Sequence, residues 1–290
     1  MFSFTYRNLI LFFKDRAAVL LSFLSDTIII LLYFLFLRDN LLSHFPNLPK
    51  AELLMDIWMM AGLLGITSFS VSIGVYSRLV EDRCKRIDKD LYITPLPRIT
   101  YLGGYFSCAV IISFLYAFLL LLICESYFWL RYNTLPGSES IWTVYGLLCL
   151  VSFTGSSLAL LFVSFIKTSH VLNSCCTILG ALIGFLTGIY LPIGNIPESV
   201  EILILCFPVS HGVMLFRQLL MESYLLDVFS HTITDQAEFF FQYMGIQFTY
   251  NNQIITNKSS VIILLITTLL SFCLAAIIDN YIFLRNPGSD

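Results

Sequence analysis

The densest chemistry in this chain is the run Glu81-Asp82-Arg83-Cys84-Lys85-Arg86-Ile87-Asp88-Lys89-Asp90-Leu91-Tyr92, in which acids and bases interleave without a break. Read as a helix, it sets Glu81 against Lys85 and Asp82 against Arg86 at i,i+4 spacing, where opposite charges support one another. Basic residues alone would satisfy the inner face of a membrane. The acids Glu81, Asp82, Asp88 and Asp90 are surplus to that need, and a mixed-charge surface suits docking on a protein partner. The alternative is a solvated basic cuff.

No catalytic constellation accompanies this run. There is no G-x-x-x-x-G-K-[ST] phosphate loop, so the chain has no such route to ATP, and no cofactor of its own is expected. Ser210-His211 and the serines after Gly155 raise an intramembrane hydrolase, yet no nucleophile and base can be paired across two helices from the sequence. The four histidines, His44, His170, His211 and His231, are scattered, and no Cys-x-x-Cys spacing occurs, so no metal site is expected. Cys108, Cys149, Cys175, Cys176 and Cys273 fall in apolar segments and Cys84 in the charged run, which reads as apolar filling rather than a disulfide framework. Asp26 stands apart as the only formal charge inside any long apolar segment. A carboxylate there is costly enough to mark a functional site, unless a neighbouring hydroxyl or backbone group neutralises it.

The elements that must position these residues are membrane helices. Apolar segments run from Ala17 to Leu37, Ile57 to Tyr76, Leu102 to Cys124, Ile141 to Ile166, Val171 to Leu191 and Ser259 to Ile278. Each reaches the roughly 20 residues needed to cross about 30 Å of hydrocarbon. Composition agrees: 58% of residues are hydrophobic and 12% charged, against roughly 25% charged in soluble domains. With the N-terminus inside, the inner segments hold Arg7, Lys14, Arg16, Arg78, Arg83, Lys85, Arg86, Lys89, Arg98, Lys167 and Arg285. Arg38, Lys50, Arg131, Arg217 and Lys258 fall outside, so both termini are expected in the cytoplasm. Charges at Lys14, Asp15 and Arg16 directly before the first span argue against a cleaved signal peptide.

Residues 1–16 mix bulky apolar side chains with Arg7, Asn8, Lys14 and Arg16, as in a helix lying at the inner interface; the other reading extends the first span downward. The charged loop occupies 78–101. Spans four and five are joined by a turn too short for anything but a hairpin. Residues 192–258 are expected outside, opening with a re-entrant pair of short helices broken at Phe207-Pro208 and ending, over 225–258, in a small polar and aromatic cap. A seventh span through 200–220 is the competing reading. Gly180, Gly184 and Gly188 recur at four-residue intervals, a register that lets another helix approach closely. The expected fold is an all-α polytopic membrane protein: one domain over 1–290 with six transmembrane helices, an interfacial N-terminal helix and a re-entrant hairpin between helices five and six.

This order of parts resembles the membrane subunit of an ATP-binding cassette exporter of the ABC-2 type. The most specific stretch is Gly188-Ile189-Tyr190-Leu191-Pro192-Ile193-Gly194-Asn195-Ile196-Pro197-Glu198, followed by Phe207-Pro208-Val209-Ser210-His211-Gly212 and Leu215-Phe216-Arg217. The spacing of Pro192, Pro197 and Pro208, closed by Arg217, is similar to the family's re-entrant pattern, although the external segment 225–258 is longer than in its commonest members. The resemblance implies a half-size permease of a bacterial cell membrane that forms a homodimer and recruits two copies of a separate ATPase subunit. ATP and Mg would be bound by that partner, and nucleic acid plays no part. Residues 81–91 would be the coupling helix, with Glu81, Asp82, Arg83, Lys85, Arg86, Asp88 and Leu91 meeting the ATPase and residues 1–16 bracing it.

An export path would run between protomers along the first, second and fifth spans. Asp26, Phe23, Phe34, Phe69, Tyr76 and Phe185 are candidate wall residues, with Ser68, Ser70 and Ser72 as polar contacts, for a cargo that is amphipathic or hydrophobic: a drug, toxin, lipid-like molecule or peptide product. The rival readings are an ion-gradient-driven secondary transporter, disfavoured because Asp26 stands alone and no internal repeat is visible, and a membrane scaffold with no transport role.

Overall fold

The computed structural model describes residues 2–46, 48–85, 98–229, 234–250 and 253–285. Helices α1 (Phe2–Lys14) and α2 (Arg16–Leu32) meet at Asp15. A π-helical turn, Tyr33–Leu37, carries α2 without interruption into α3 (Arg38–His44). Then follow α4 (Ala51–Cys84), α5 (Arg98–Tyr132), α6 (Ile141–Ser164) and α7 (Ser169–Leu186). The bent pair α8 (Glu198–Cys206) and α9 (Pro208–Phe229), then α10 (Thr234–Tyr243), precede the last helix, α11 (Asn257–Arg285). One exception to the all-helical pattern is a two-residue antiparallel ladder pairing Thr249 with Ile254 and Tyr250 with Gln253.

Five of these helices, α4, α5, α6, α7 and α11, are long and apolar enough to cross a membrane. The first expected span, 17–37, is shared between α2 and the π turn. The expected break at Phe207-Pro208 is present: α8 and α9 meet there at 89°. Pro208 has no N–H to continue α8 and instead opens α9, where its fixed φ costs nothing.

Helix α4 is the axis of the molecule. It is apolar all round and buried from Leu53 to Asp82 with few gaps, as a helix without a polar face must be. Helices α5, α6 and α9 pack closely around it, α2 and α7 flank it, α1 lies on α5, and α11 lies on α6. Lipid gives helices no hydrophobic reason to associate, so small residues and hydroxyl groups hold them together. Gly155 on α6 shows the first device: a Cβ there would lie 2.8 Å from the Phe69 amide nitrogen and 2.9 Å from the Ser68 carbonyl carbon. A seam of hydroxyls shows the second. Ser72 on α4 bonds Ser156 on α6 at 2.8 Å, and the Tyr76 hydroxyl donates to the Ser156 carbonyl at 3.0 Å. Ser113 on α5 joins Ser156 at 3.3 Å, and Thr154 reaches Thr268 on α11 at 2.9 Å.

Three sequence expectations are corrected by helix boundaries. Residues 78–84 are the last turns of α4, not loop, because nothing in that stretch breaks the helix. The fifth span ends at Leu186, not Leu191. Gly188, at φ 63°, closes α7 with the pair of bonds typical of a left-handed cap: Ile189 N–H to Gly184 O at 2.8 Å and Gly188 N–H to Phe185 O at 3.1 Å. Leu225 to Phe229, assigned from sequence to an outer cap, continue α9.

Candidate functional site

At the Cys84 end of α4, expected from the charge pattern to face the cytoplasm and named the inner end for that reason, the charged run is already engaged within the chain. Asp82 accepts a hydrogen bond from the Tyr105 hydroxyl of α5 and lies 3.7 Å from Arg7 of α1. Arg83 donates to Asp279 of α11 at 2.7 Å, which leaves its side chain 19% exposed. Arg78 bridges Asp15, at 2.9 Å, and Glu81, at 3.0 Å. The Cys84 thiol meets the Lys167 carbonyl in the turn between α6 and α7. Lys85, 3.8 Å from Glu81, is 65% exposed and turns away from the bundle. So Asp82 and Arg83, expected to face a partner, instead fasten α4 to α1, α5 and α11. Arg86, Asp88 and Leu91 lie outside the described residues. The intrachain partners Arg7, Tyr105 and Asp279 went unnoticed in the sequence because each is an unremarkable residue until the fold brings it there.

The opposite end, expected outside and named the outer end accordingly, is built around Arg217 of α9, which is fully buried. No carboxylate pairs with it among the described residues. Its Nη2 donates to Gly188 O at 2.8 Å, and its Nη1 to Met244 O at 3.1 Å and Gly245 O at 3.4 Å. Its guanidinium stacks 4.3 Å from the ring of Trp58 on α4, whose Nε1–H also donates to Met244 O, at 2.7 Å. Gly245, at φ 64°, caps α10 in the way Gly188 caps α7, with Ile246 N–H to Phe241 O at 2.9 Å. Arg217 therefore grips the carboxyl ends of two helices, where unsatisfied carbonyls and the helix dipoles supply the negative charge an acid would otherwise provide.

Two further bonds fix the re-entrant pair. Ser210 donates to Leu186 O at 2.8 Å, covering another exposed carbonyl of α7. The His211 ring links Leu205 O at 3.0 Å to the Ser260 hydroxyl of α11 at 3.1 Å. A carbonyl can only accept, so Nε2–H donates to Leu205 O, and in the neutral ring Nδ1 accepts a hydrogen bond from the Ser260 hydroxyl. This is a serine and histidine in contact, but both are fully enclosed and no acid orients the ring, so it ties helices together rather than presenting a nucleophile. Pro192 and Pro197 flank the short turn Ile193–Asn195 that leads from α7 to α8.

Near the same end, Asp56 is a buried carboxylate with four donors: Tyr33 at 2.6 Å, Tyr132 at 2.7 Å, Tyr127 at 2.9 Å and Arg38 at 3.0 Å. Arg38 also binds Glu52 at 2.7 Å. Burial opposes the charge on Arg38, but the bonds it donates to Glu52 and Asp56 outweigh it and raise its pKa above the ordinary arginine value. Asp56 was missed because it directly precedes the second apolar segment. The signal was there in Tyr127, Arg131 and Tyr132, which cluster at the matching end of the next helix.

The candidate path residues do not share one surface. Phe34 and Phe185 are exposed. Phe23 stacks on Tyr116 at 4.2 Å, and Phe69 meets Phe207 edge-on. Ser68, Ser72 and Tyr76 are enclosed by α4's neighbours and engaged in hydrogen bonds within the chain, so they are corrected to packing residues; Ser70 is half-buried. Asp26 is buried against α4, where Thr67 donates to it at 3.1 Å while also bonding Leu63 O. Of the glycine stripe, only Gly180 faces open space: Gly184 lies under the Tyr190 ring and Gly188 is beyond the helix.

Long apolar helices around a central span, a sharply bent pair at one end of it and a charged rim at the other define a polytopic α-helical membrane protein. Residues 44–277 match the family described as ABC-2 family transporter protein, and the chain belongs to that family. It is a membrane component of a transporter. No curated protein matches it.

Proposed function

We propose that this chain is the permease half of an ATP-driven exporter, working as a homodimer with two copies of a separate ATPase subunit and moving an amphipathic or hydrophobic cargo. The observation that carries the reading is the continuity of α4. Its 34 residues extend about 50 Å at a rise of about 1.5 Å per residue, and the Arg217 grip beside Trp58 lies about 40 Å along it from the inner rim at Cys84. Force applied just beyond Cys84 is delivered to the outer re-entrant pair by one rigid helix, with α1, α5 and α11 lashed to its inner end. Helices α2 and α7, which flank α4 and expose Leu20, Leu24, Ile28, Ile178 and Leu182, supply the apolar face on which a second copy would pair.

Because Arg83 is held by Asp279, the discriminating substitutions are at Lys85 and Arg86. The full-length chain is expected to co-purify with a nucleotide-binding subunit from its native membrane, and Lys85→Glu with Arg86→Glu is expected to release that subunit without lowering the permease's own melting temperature. Solute movement by the purified chain with no nucleotide-hydrolysing subunit present would overturn the proposal.

A further inference from the structure

We propose that Asp26, in the second half of α2, is a proton-binding site: it lies against α4 as a neutral acid and exchanges its proton when the two helices part. Asp26 is 2% exposed, and its hydrogen bonding falls short of what an anion needs. Thr67 of α4 has one hydroxyl proton and two acceptors within reach, Leu63 O at 2.7 Å and Asp26 Oδ2 at 3.1 Å, so the carboxyl holds the longer share of a divided bond. Ser25 is near, yet Oδ1 has no hydrogen-bond partner. Asp56 shows what an enclosed carboxylate requires: four donors surround it, Arg38 among them. A buried acid without such partners takes up a proton rather than keep its charge. The neutral acid also resolves the shortage, because its own O–H can donate to Thr67 Oγ1 while Thr67 serves Leu63 O.

No cation stands beside it among the described residues. Its titratable neighbours on α5 are Cys124 and Glu125, and the Cys124 thiol feels both acids. Helix α4 carries no charged residue between Asp56 and Arg78, and α2 none after Arg16 except Asp26 itself. The basic residues of α1, Arg7 and Lys14, lie beyond the start of α2, and Arg38 beyond its far end is engaged by Asp56 and Glu52. Helix α2 is also jointed at both ends. It meets α1 at Asp15 and passes into the π turn Tyr33–Leu37, where the regular ladder of backbone bonds is interrupted. A swing between those joints draws Asp26 away from Thr67 and admits water, which receives the proton; closure takes one back from water.

The site needs no ATPase subunit, so the test uses the purified full-length chain in neutral detergent, read by infrared spectroscopy. Subtracting the spectrum of Asp26→Asn from that of the wild type at neutral pH is expected to leave the C=O band of a protonated carboxyl. The variant is expected to melt where the wild type does, since an amide keeps the shape and offers an N–H to Thr67. If it fails to fold, Thr67→Val serves, and is expected to move the same band by removing the hydroxyl beside it. In D2O the band should shift slowly as deuterium replaces the proton. A Cβ on residue 74 lies 3.6 Å from Ser22 Oγ, so Ser22→Cys with Gly74→Cys can be bridged to close α2 on α4. The bridge is expected to slow the exchange by about tenfold or more, with reduction restoring it and each single variant as control. Absence of the carboxyl band overturns the proposal, as does exchange at the same rate with the bridge closed and open, or a melting temperature lowered in Asp26→Asn as far as in Asp56→Asn.

Discussion

The two ends of α4 are fastened by opposite means. At the inner rim, Arg7, Arg78 and Arg83 form ion pairs with Asp82, Asp15, Glu81 and Asp279, of which the two made by Arg78 lie between side chains 31% and 38% exposed while Asp82, Arg83 and Asp279 are more enclosed. At the outer end, Arg217 is sealed from solvent and bound to main-chain carbonyls, and Asp56 is sealed under three tyrosines and an arginine. Exposed pairs are worth about 0–1 kcal/mol each and weaken with salt, whereas buried charge with lost partners costs several times that. The contrast describes a helix held at its Trp58 end by buried charge and at its Cys84 end by ion pairs, the most exposed of which are those of Arg78.

The largest break in that comparison is expected from Arg217→Met. It strips the carbonyls of Gly188, Met244 and Gly245 of their donors and should destabilise the chain by about 3 kcal/mol or more in thermal melting of the detergent-solubilised protein. Arg217→Lys should recover only a minority of the loss, since an ammonium lacks the planar fork that reaches two helix ends. A melting temperature unchanged in Arg217→Met would mean the outer grip is no grip. Asp56→Asn should cost about 2–3 kcal/mol by weakening bonds from four donors at once, and a loss no greater than that of an inner-rim pair would erase the distinction between the ends.

Gly155→Ala tests the close contact of α4 and α6 midway between them. With a Cβ placed 2.8 Å from the Phe69 amide nitrogen, overpacking of about 1–3 kcal/mol is expected, and a neutral result would show that the two helices part easily. The smallest effect is expected at Arg78 and Asp15, 31% and 38% exposed: a double-mutant cycle should return a coupling of at most about 1 kcal/mol, falling as salt is raised. A coupling of several kcal/mol, insensitive to salt, would make the inner rim as rigid as the outer end.

Patterns carried by the local chain were legible in the sequence. The apolar segments, the break at Phe207-Pro208 and the charged run after the second span follow from hydropathy, proline chemistry and charge, and the family resemblance follows from their order. What was not legible depends on which residues meet. Ser72 and Tyr76 read equally well as path or as packing until Ser156 is found opposite them. Gly188 fits a helical stripe by spacing alone, and only its positive φ reveals a cap. Arg83 reads as a free docking charge until Asp279, almost two hundred positions away by the numbering, closes on it.

Carbonyl oxygens do not titrate, so the hold of Arg217 on its two helix termini depends on no acid partner keeping its charge.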